Sequence, residues 1–185
     1  MPNSDTFRCP PIRSFVDYYL RQSKMSVDPF ARNFNGCTYT NDLNPNTQAE
    51  YNMTALDFLK MIGDKGISPD LVVFDPPYSL EQLKRSYASV GIEKLPYGDT
   101  LNGIHWTKEK CVISDILENG VFLHFGWHTN GMGKKHGFAI EEILIVAHGG
   151  GHHDTLCMAE RRTSIQINLF SHNKSLNSDG ASLAR

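Results

Sequence analysis

Residues 71–79, Leu-Val-Val-Phe-Asp-Pro-Pro-Tyr-Ser, set an acid, backbone carbonyls and an aromatic ring at the end of an apolar run. The four apolar residues read as a buried strand. Asp75 ends it, and Pro76 and Pro77 cannot continue it, because proline has a fixed φ and no amide proton. The chain must leave the strand in a stiff, extended turn at its carboxyl end, the edge along which open α/β sheets bind ligands. A planar nitrogenous ring would stack on Tyr78. Its exocyclic amine would donate hydrogen bonds to Asp75 and to the Pro76 carbonyl. Such an amine is a poor nucleophile, since its lone pair delocalises into the ring. Two acceptors pyramidalise it and free the lone pair, after which in-line positioning does most of the work. The bland alternative is a proline turn behind a buried strand.

Other residues could serve the same edge. Asp28, before Pro29 and Phe30, and Asp42 each close a semi-apolar run, and a carboxylate at a strand end suits ribose hydroxyls. Asp42, with Asn41 and Asn44 beside it, also reads as an Asx turn. Asp57 either contacts a ligand or caps a helix over residues 58–62, and Phe30 lines either a pocket or the core. Residues 126–136 form a glycine-rich loop with Trp127 for stacking and Lys134 and Lys135 for phosphates. A solvated loop with no partner is its alternative. His148, His152, His153 and Asp154 crowd another glycine loop without the ligand spacing of a zinc site, so no metal is expected. No phosphate-cradling Gly-x-x-x-x-Gly-Lys and no Gly-x-Ser-x-Gly elbow occurs.

The elements that must hold these residues can be read from pattern. Residues 1–11 read as a loose polar tail and 12–24 as a short helix with Phe15, Tyr18, Tyr19 and Ile12 on one side. Brief strands are expected over 25–27, 36–41 and 50–53, then a helix from Thr54 or Asp57 to Gly63. After the strand at 71–74 come a helix over 80–88, a loop over 89–103 and a helix over 106–117 ended by Asn119-Gly120. Strands over 121–125, 138–147 and 155–160 complete the pattern. Alternating strands and helices imply parallel crossovers, and the short link before residue 155 implies an antiparallel pair. The expected fold is three-layer α/β, a mostly parallel seven-stranded sheet with a C-terminal antiparallel pair. The expected division is a tail and helix over 1–24, a catalytic domain over 25–170 and a polar tail over 171–185.

A chain of 185 residues suits one domain, and a net charge of −2 gives no bulk footprint for a polyanion, so nucleic acid must meet a local basic patch. The four cysteines form no Cys-x-x-Cys pair and read as reduced thiols of a cytoplasmic protein. No leader and no membrane span are visible, so no membrane association is expected.

Four segments together resemble class I S-adenosylmethionine-dependent methyltransferases, and more narrowly those that modify N6 of adenine in DNA. Residues 28–33, Asp-Pro-Phe-Ala-Arg-Asn, resemble the family's Asp-Pro-Phe-x-Gly-x-Gly cofactor motif, with Arg32 and Phe34 near the glycine positions. Residues 41–45, Asn-Asp-Leu-Asn-Pro, resemble its ribose-binding acidic turn. Residues 53–58, with Asp57, resemble the segment facing the cofactor adenine. Asp75, Pro76, Pro77 and Tyr78 match the catalytic motif in full. The layout is also similar to small phage or prophage proteins. The resemblance implies a Rossmann-like fold and S-adenosylmethionine as cofactor, held by Asp28, Pro29, Phe30, Asp42, Asn44 and Asp57. It implies catalysis by residues 75–78 and DNA as acceptor, contacted by Trp127, Lys134 and Lys135. Residues 79–110 are the candidate target-recognition region, with a partner protein or homodimer assisting. RNA adenine, another planar amine or amide, and a non-catalytic binding subunit are the alternatives.

Overall fold

The apolar runs become the central strands of an α/β domain, described here by a computed structural model over residues 5–92, 105–151 and 153–163. The strands are β1 (Ser26–Asp28), β2 (Tyr39–Thr40), β3 (Leu71–Phe74), β4 (Val121–Gly126), β5 (Phe138–Val146) and β6 (Thr155–Arg162). Their order is β2-β1-β3-β4-β6-β5. Strands β1 to β4 run parallel. Strand β6 is antiparallel to both β4 and β5.

Among the described residues the sheet has six strands rather than seven. The segment expected as an edge strand, residues 50–53, makes one parallel bridge, Asn41 to Tyr51. Pairing stops there because the buried Asn41 side chain takes both backbone groups of Met53: its amide donates to the carbonyl and its Oδ1 accepts from the N–H, each at 3.1 Å. A side chain thus satisfies what a ladder would have satisfied.

The helices are α1 (Pro10–Leu20), α2 (Ala55–Asp64), α3 (Leu80–Ala88) and α4 (Thr107–Ile116). Side chains alternate across a strand, so β3 serves two cores. Leu71 and Val73 pack with Leu123, Phe125 and the α1 residues Ile12, Phe15, Val16 and Tyr19. Val72 and Phe74 pack with Phe122, Phe58, Leu59 and Ile62 of α2, and Ile113 and Ile116 of α4. Coverage on both faces explains why β3 and β4 are buried throughout.

No helix joins β1 to β2. Helix α1, from ahead of β1, covers that face instead, and Phe34 in the connection adds its ring to the same core. The expected loose tail is also partly ordered. Residues Thr6–Arg8 form a 3₁₀ turn, and Phe7 is only 6% exposed. Its ring lies 4.6 Å from Phe34 and 5.2 Å from Phe125. An aromatic side chain with a core slot to fill offsets the entropy of ordering its short segment. Helix α1 then starts on Pro10, where a missing N–H costs nothing, and stops at Leu20 rather than 24, with Val16 on its buried side and Tyr18, expected there, exposed. The polar tail over 171–185 and residues 93–104 of the expected recognition region lie outside the described residues. Among the described residues no helix is long and apolar enough to cross a membrane.

Candidate active site

Parallel pairing brings the carboxyl ends of β1 to β4 to one edge, and antiparallel β6 starts at that edge. Two cavities open there. The larger, about 950 Å³, is walled by Thr6, Arg8, Cys9, Arg32, Asp42, Asn44, Pro76, Pro77, Tyr78, Arg85, Trp127, His148 and His153. The smaller, about 260 Å³, is walled by Pro29, Phe30, Asp42, Leu43, Leu56, Asp57, Pro77 and Trp106. Asp42, Pro77 and Ser86 belong to both walls, so molecules filling the two cavities would meet at the proline turn.

Asp75 lies under this junction, 3% exposed. The Tyr78 hydroxyl donates to its Oδ1 at 2.5 Å. Burial pushes the Asp75 carboxyl above its usual range, while the Arg32 guanidinium and hydrogen bonds from Tyr78 and Thr6 pull it back. These donors favour the ionised form, the acceptor-only state an amine requires. Burial, reinforced by Asp75, holds the Tyr78 phenol well above its ordinary value, so it stays protonated as the donor. Ser79 caps α3 by accepting from the Gln82 N–H, and the Gln82 side chain accepts from the Tyr78 N–H at 2.7 Å. The turn is thereby held from its far side.

The cofactor candidates divide. Pro29, Phe30, Asp42 and Asp57 line the smaller cavity, and Asn44 lines the larger. Asp42 accepts from the Asn44 N–H at 2.8 Å, an Asx turn, and from the Arg32 N–H at 3.2 Å. Burial raises its carboxyl, offset by those two N–H groups and the Arg32 charge. Asp57 lines its cavity and also takes part in the cap of α2: the Thr54 hydroxyl accepts from its N–H and donates to its carboxylate at 2.7 Å. Asp28 lines neither cavity. It is fully buried, accepts from the Phe30 N–H at 2.9 Å and leaves Oδ2 without a hydrogen-bond partner. Burial, then the charges of Asp75 and Asp42, pushes its carboxyl well up. Its place is beneath the site, shaping the turn, rather than in the cavity wall as expected. Arg32 occupies the left-handed region, φ 51°. A residue other than glycine pays strain there.

The loop after β4 also divides. Trp127 reaches the cleft, its ring 5.6 Å from Tyr78 and 4.5 Å from His153. Lys134 and Lys135 do not. They form a 3₁₀ turn leading into Phe138, which pairs with Arg162 beside the first residues of β4. They therefore sit at the amino-terminal edge of the parallel strands, opposite the cleft. The buried Glu160 fixes this course by accepting from the Met132 and Gly133 N–H groups at 2.6 and 2.9 Å. The sequence reading missed Thr6, Arg8 and Cys9 as cleft residues. The one signal was Phe7, a large apolar residue in a polar stretch.

No protein-family model matches the chain, and no curated protein sequence matches it. Solved structures do. SMU.776, designated a methyltransferase and solved complexed with SAH, aligns with TM-score 0.51 at 12% identity over 80% of this chain and 49% of its own. A protein from Streptococcus mutans, designated a SAM-dependent methyltransferase, aligns with TM-score 0.51 at 12% identity over 80% of this chain and 48% of its own. The chain spans about half the length of the structures it matches. Across that span it shares their α/β, Rossmann-like fold.

Proposed function

We propose that this protein is an S-adenosylmethionine-dependent methyltransferase acting on the exocyclic N6 amine of adenine in DNA. The observation that carries the reading is the shared wall of the two cavities: Asp42 and Pro77 border both, and Asp75 lies beneath. The smaller cavity suits an adenosyl group, with apolar Phe30, Leu43 and Leu56 for the ring faces and Asp57 for its amine. Asp42, at the junction, suits the ribose hydroxyls. Arg32 and Asn44 continue the wall toward the turn. When bound, S-adenosylmethionine supplies a methyl group activated by its sulfonium.

The chain's own residues do the rest. Asp75 and the Pro76 carbonyl accept the two amine hydrogens of the target. That alignment redirects the nitrogen lone pair out of the ring plane. The nitrogen's bond to the methyl carbon would form as that carbon's bond to the sulfonium sulfur breaks, leaving a neutral thioether. The proton, acidic only once the nitrogen carries the methyl group, would pass to the Asp75 carboxylate, so no strong base is needed beforehand. Tyr78 and Trp127 present aromatic surface to a base taken out of its stack. An ionised carboxylate suits a donor amine, and Asp in first position is what the resemblance associates with adenine rather than with cytosine or glutamine. The free cysteines support a cytoplasmic protein, and a partner protein or second copy would supplement target recognition.

The test is a titration with S-adenosylmethionine, then incubation of labelled cofactor with adenine-containing DNA and RNA oligonucleotides and a nucleoside digest. Labelled N6-methyladenosine from RNA, or N4-methylcytosine, would correct the acceptor. Absence of cofactor binding would overturn the reading and leave a binding subunit.

A further inference from the structure

Strand β5 ends the sheet on one side, and its two faces meet different surroundings. On one face Leu144 and Val146 pack in the core that includes α1. Glu142 accepts there from the Tyr19 hydroxyl at 2.9 Å, and Glu141 accepts from Arg161 at 2.6 Å. A bulge between Ile140 and Glu142 lets both acids find these partners. The other face starts in the core of α2 and α4, where Phe138 packs, and then leaves it. Ile140, Ile143 and Ile145 pair with Glu160, Met158 and Leu156 of β6, so the three share this face. They are 53, 45 and 63% exposed, whereas Met158 beside them is buried. Cover on this face therefore ends between β6 and β5. Isoleucines exposed singly are ordinary, but here three line one side of a nine-residue edge strand. Among the described residues no strand pairs with the outer side of β5, so its outward N–H and C=O groups form a template for another strand.

We propose that this strand is a dimer interface: β5 pairs antiparallel with β5 of a second copy about a two-fold axis at Leu144. The axis sets Ile143 of each copy opposite Ile145 of the other. Two-fold symmetry keeps all four on one face, where they close into a single apolar patch. Charge selects this register. An axis at Glu142 would set that acid against its own copy, and an axis at Ile143 would set Ile145 against Glu141. The strand is thus complementary to itself in one register. The opposite edge of the sheet, β2, has two residues and offers too little backbone to propagate the pairing, so assembly closes at two copies. None of the residues of β5 lines either cavity, and the proposal stands or falls apart from the methyltransferase reading.

Sedimentation equilibrium of the full chain, over a range of concentrations, should give twice the chain mass. The double variant Ile143→Lys, Ile145→Lys sets lysine against lysine across the axis and should raise the dimer dissociation constant by about tenfold or more. Its circular dichroism should match wild type, since both side chains are exposed. The register is read without added charge. Ile143→Cys and Ile145→Cys chains carrying different tags are mixed under mild oxidation, with wild type setting the background from its own cysteines. The mixed pair should cross-link more than either chain does with itself. A wild-type monomer at every concentration overturns the proposal and gives the edge to another occupant. A dimer that the lysines leave intact also overturns it, as does cross-linking without preference for the mixed pair. If the lysine variant misfolds, the tagged cysteine chains decide alone.

Discussion

At the scale of single residues, the proposed function gives two carboxylates separate work, and they can be told apart. In the proposed reading Asp75, buried beneath the junction and in the wall of neither cavity, accepts from the target amine, so Asp75→Ala should cut turnover by roughly 10³-fold, at the upper end for losing one electrostatic contact in a transition state. Cofactor affinity should stay within a few fold. Asp42 borders the smaller cavity, and Asp42→Ala should weaken S-adenosylmethionine binding first, by about 1.5–3 kcal/mol for charge-assisted hydrogen bonds. Calorimetry beside steady-state kinetics on both variants checks this, and a swapped pattern would exchange the two roles. His124 gives a stability signal apart from catalysis. It is buried at 3% exposure with Nδ1 unpartnered. Burial, then the charges of Lys110 and His128, pushes its imidazole from 6.5 down to about 3. The unfolded chain therefore binds this proton more readily than the folded one between those values. Stability is lost as pH falls below 6.5, by roughly 2 kcal/mol at pH 5 from this group alone. The raised carboxyls of Asp28, Asp42 and Asp75 act in the opposite sense, but a His124→Gln variant shares them. Urea unfolding of both proteins at pH 7, 6 and 5 should show wild type losing its margin over the variant on acidification, and parallel curves would reject the assignment.

At the scale of elements, the strongest constraint on the cleft's far wall is the loop from β4 to β5. Glu160 holds it through two backbone N–H groups, and the Lys110 ammonium adds a hydrogen bond to the Asn130 carbonyl. Gly131 is required because a Cβ there would lie 1.8 Å from Glu160 Oε2. Gly131→Ala should push the carboxylate off its donors and cost about 1–3 kcal/mol, the range for unsatisfied buried polar groups. It should also release Trp127 from Tyr78 and His153. Thermal unfolding and tryptophan fluorescence read both effects, and an unchanged melting temperature would show that the loop relaxes freely. The sequence made most elements legible where apolar runs met clear stops. Asp75-Pro76 ended β3, Asn119-Gly120 closed α4, and the short link before Thr155 announced the hairpin of β5 and β6. The stretch from Asp28 to Asp42 is too brief to hold a full crossover helix. Two features escaped pattern. A single Phe7 in a polar segment carries no periodicity, and its core slot is built by Phe34 and Phe125 from far along the chain. The reduction of residues 50–53 to one bridge depends on the Asn41 side chain, which no strand propensity records.

At the scale of the whole molecule, the polarity of the sheet decides which charges can meet a nucleic acid. Strands β1 to β4 point their carboxyl ends at the cleft, and β5 runs the same way. The loop 127–137 must therefore travel from the cleft edge to the opposite one before β5 starts. Length and composition in this loop suggested a basic arm at the site; the direction of β5, which no local signal encodes, takes Lys134 and Lys135 away. Among the described residues the arginines that border the cleft are instead Arg8, Arg32 and Arg85. Arg8 pairs with Asp5 and Arg85 with Glu81 in solvent-exposed ion pairs. Such pairs hold their partners weakly, so a phosphate can compete for either guanidinium. Arg32 faces the buried carboxylates and is less available. With a net charge of −2, binding to a polyanion should be weak and salt-sensitive. Each lost phosphate contact should reduce the logarithmic salt slope by about 0.7 on single-stranded DNA and 0.9 on duplex. Arg8→Ala and Arg85→Ala should each flatten the slope by about that amount and weaken binding similarly across sequences. Replacing Lys134 and Lys135 together should leave both affinity and slope as in wild type. Fluorescence anisotropy with a labelled oligonucleotide at several salt concentrations makes the comparison. If the double lysine variant flattens the slope and the arginine variants do not, nucleic acid approaches from the amino-terminal edge, and the cleft between Tyr78 and Trp127 receives a different acceptor.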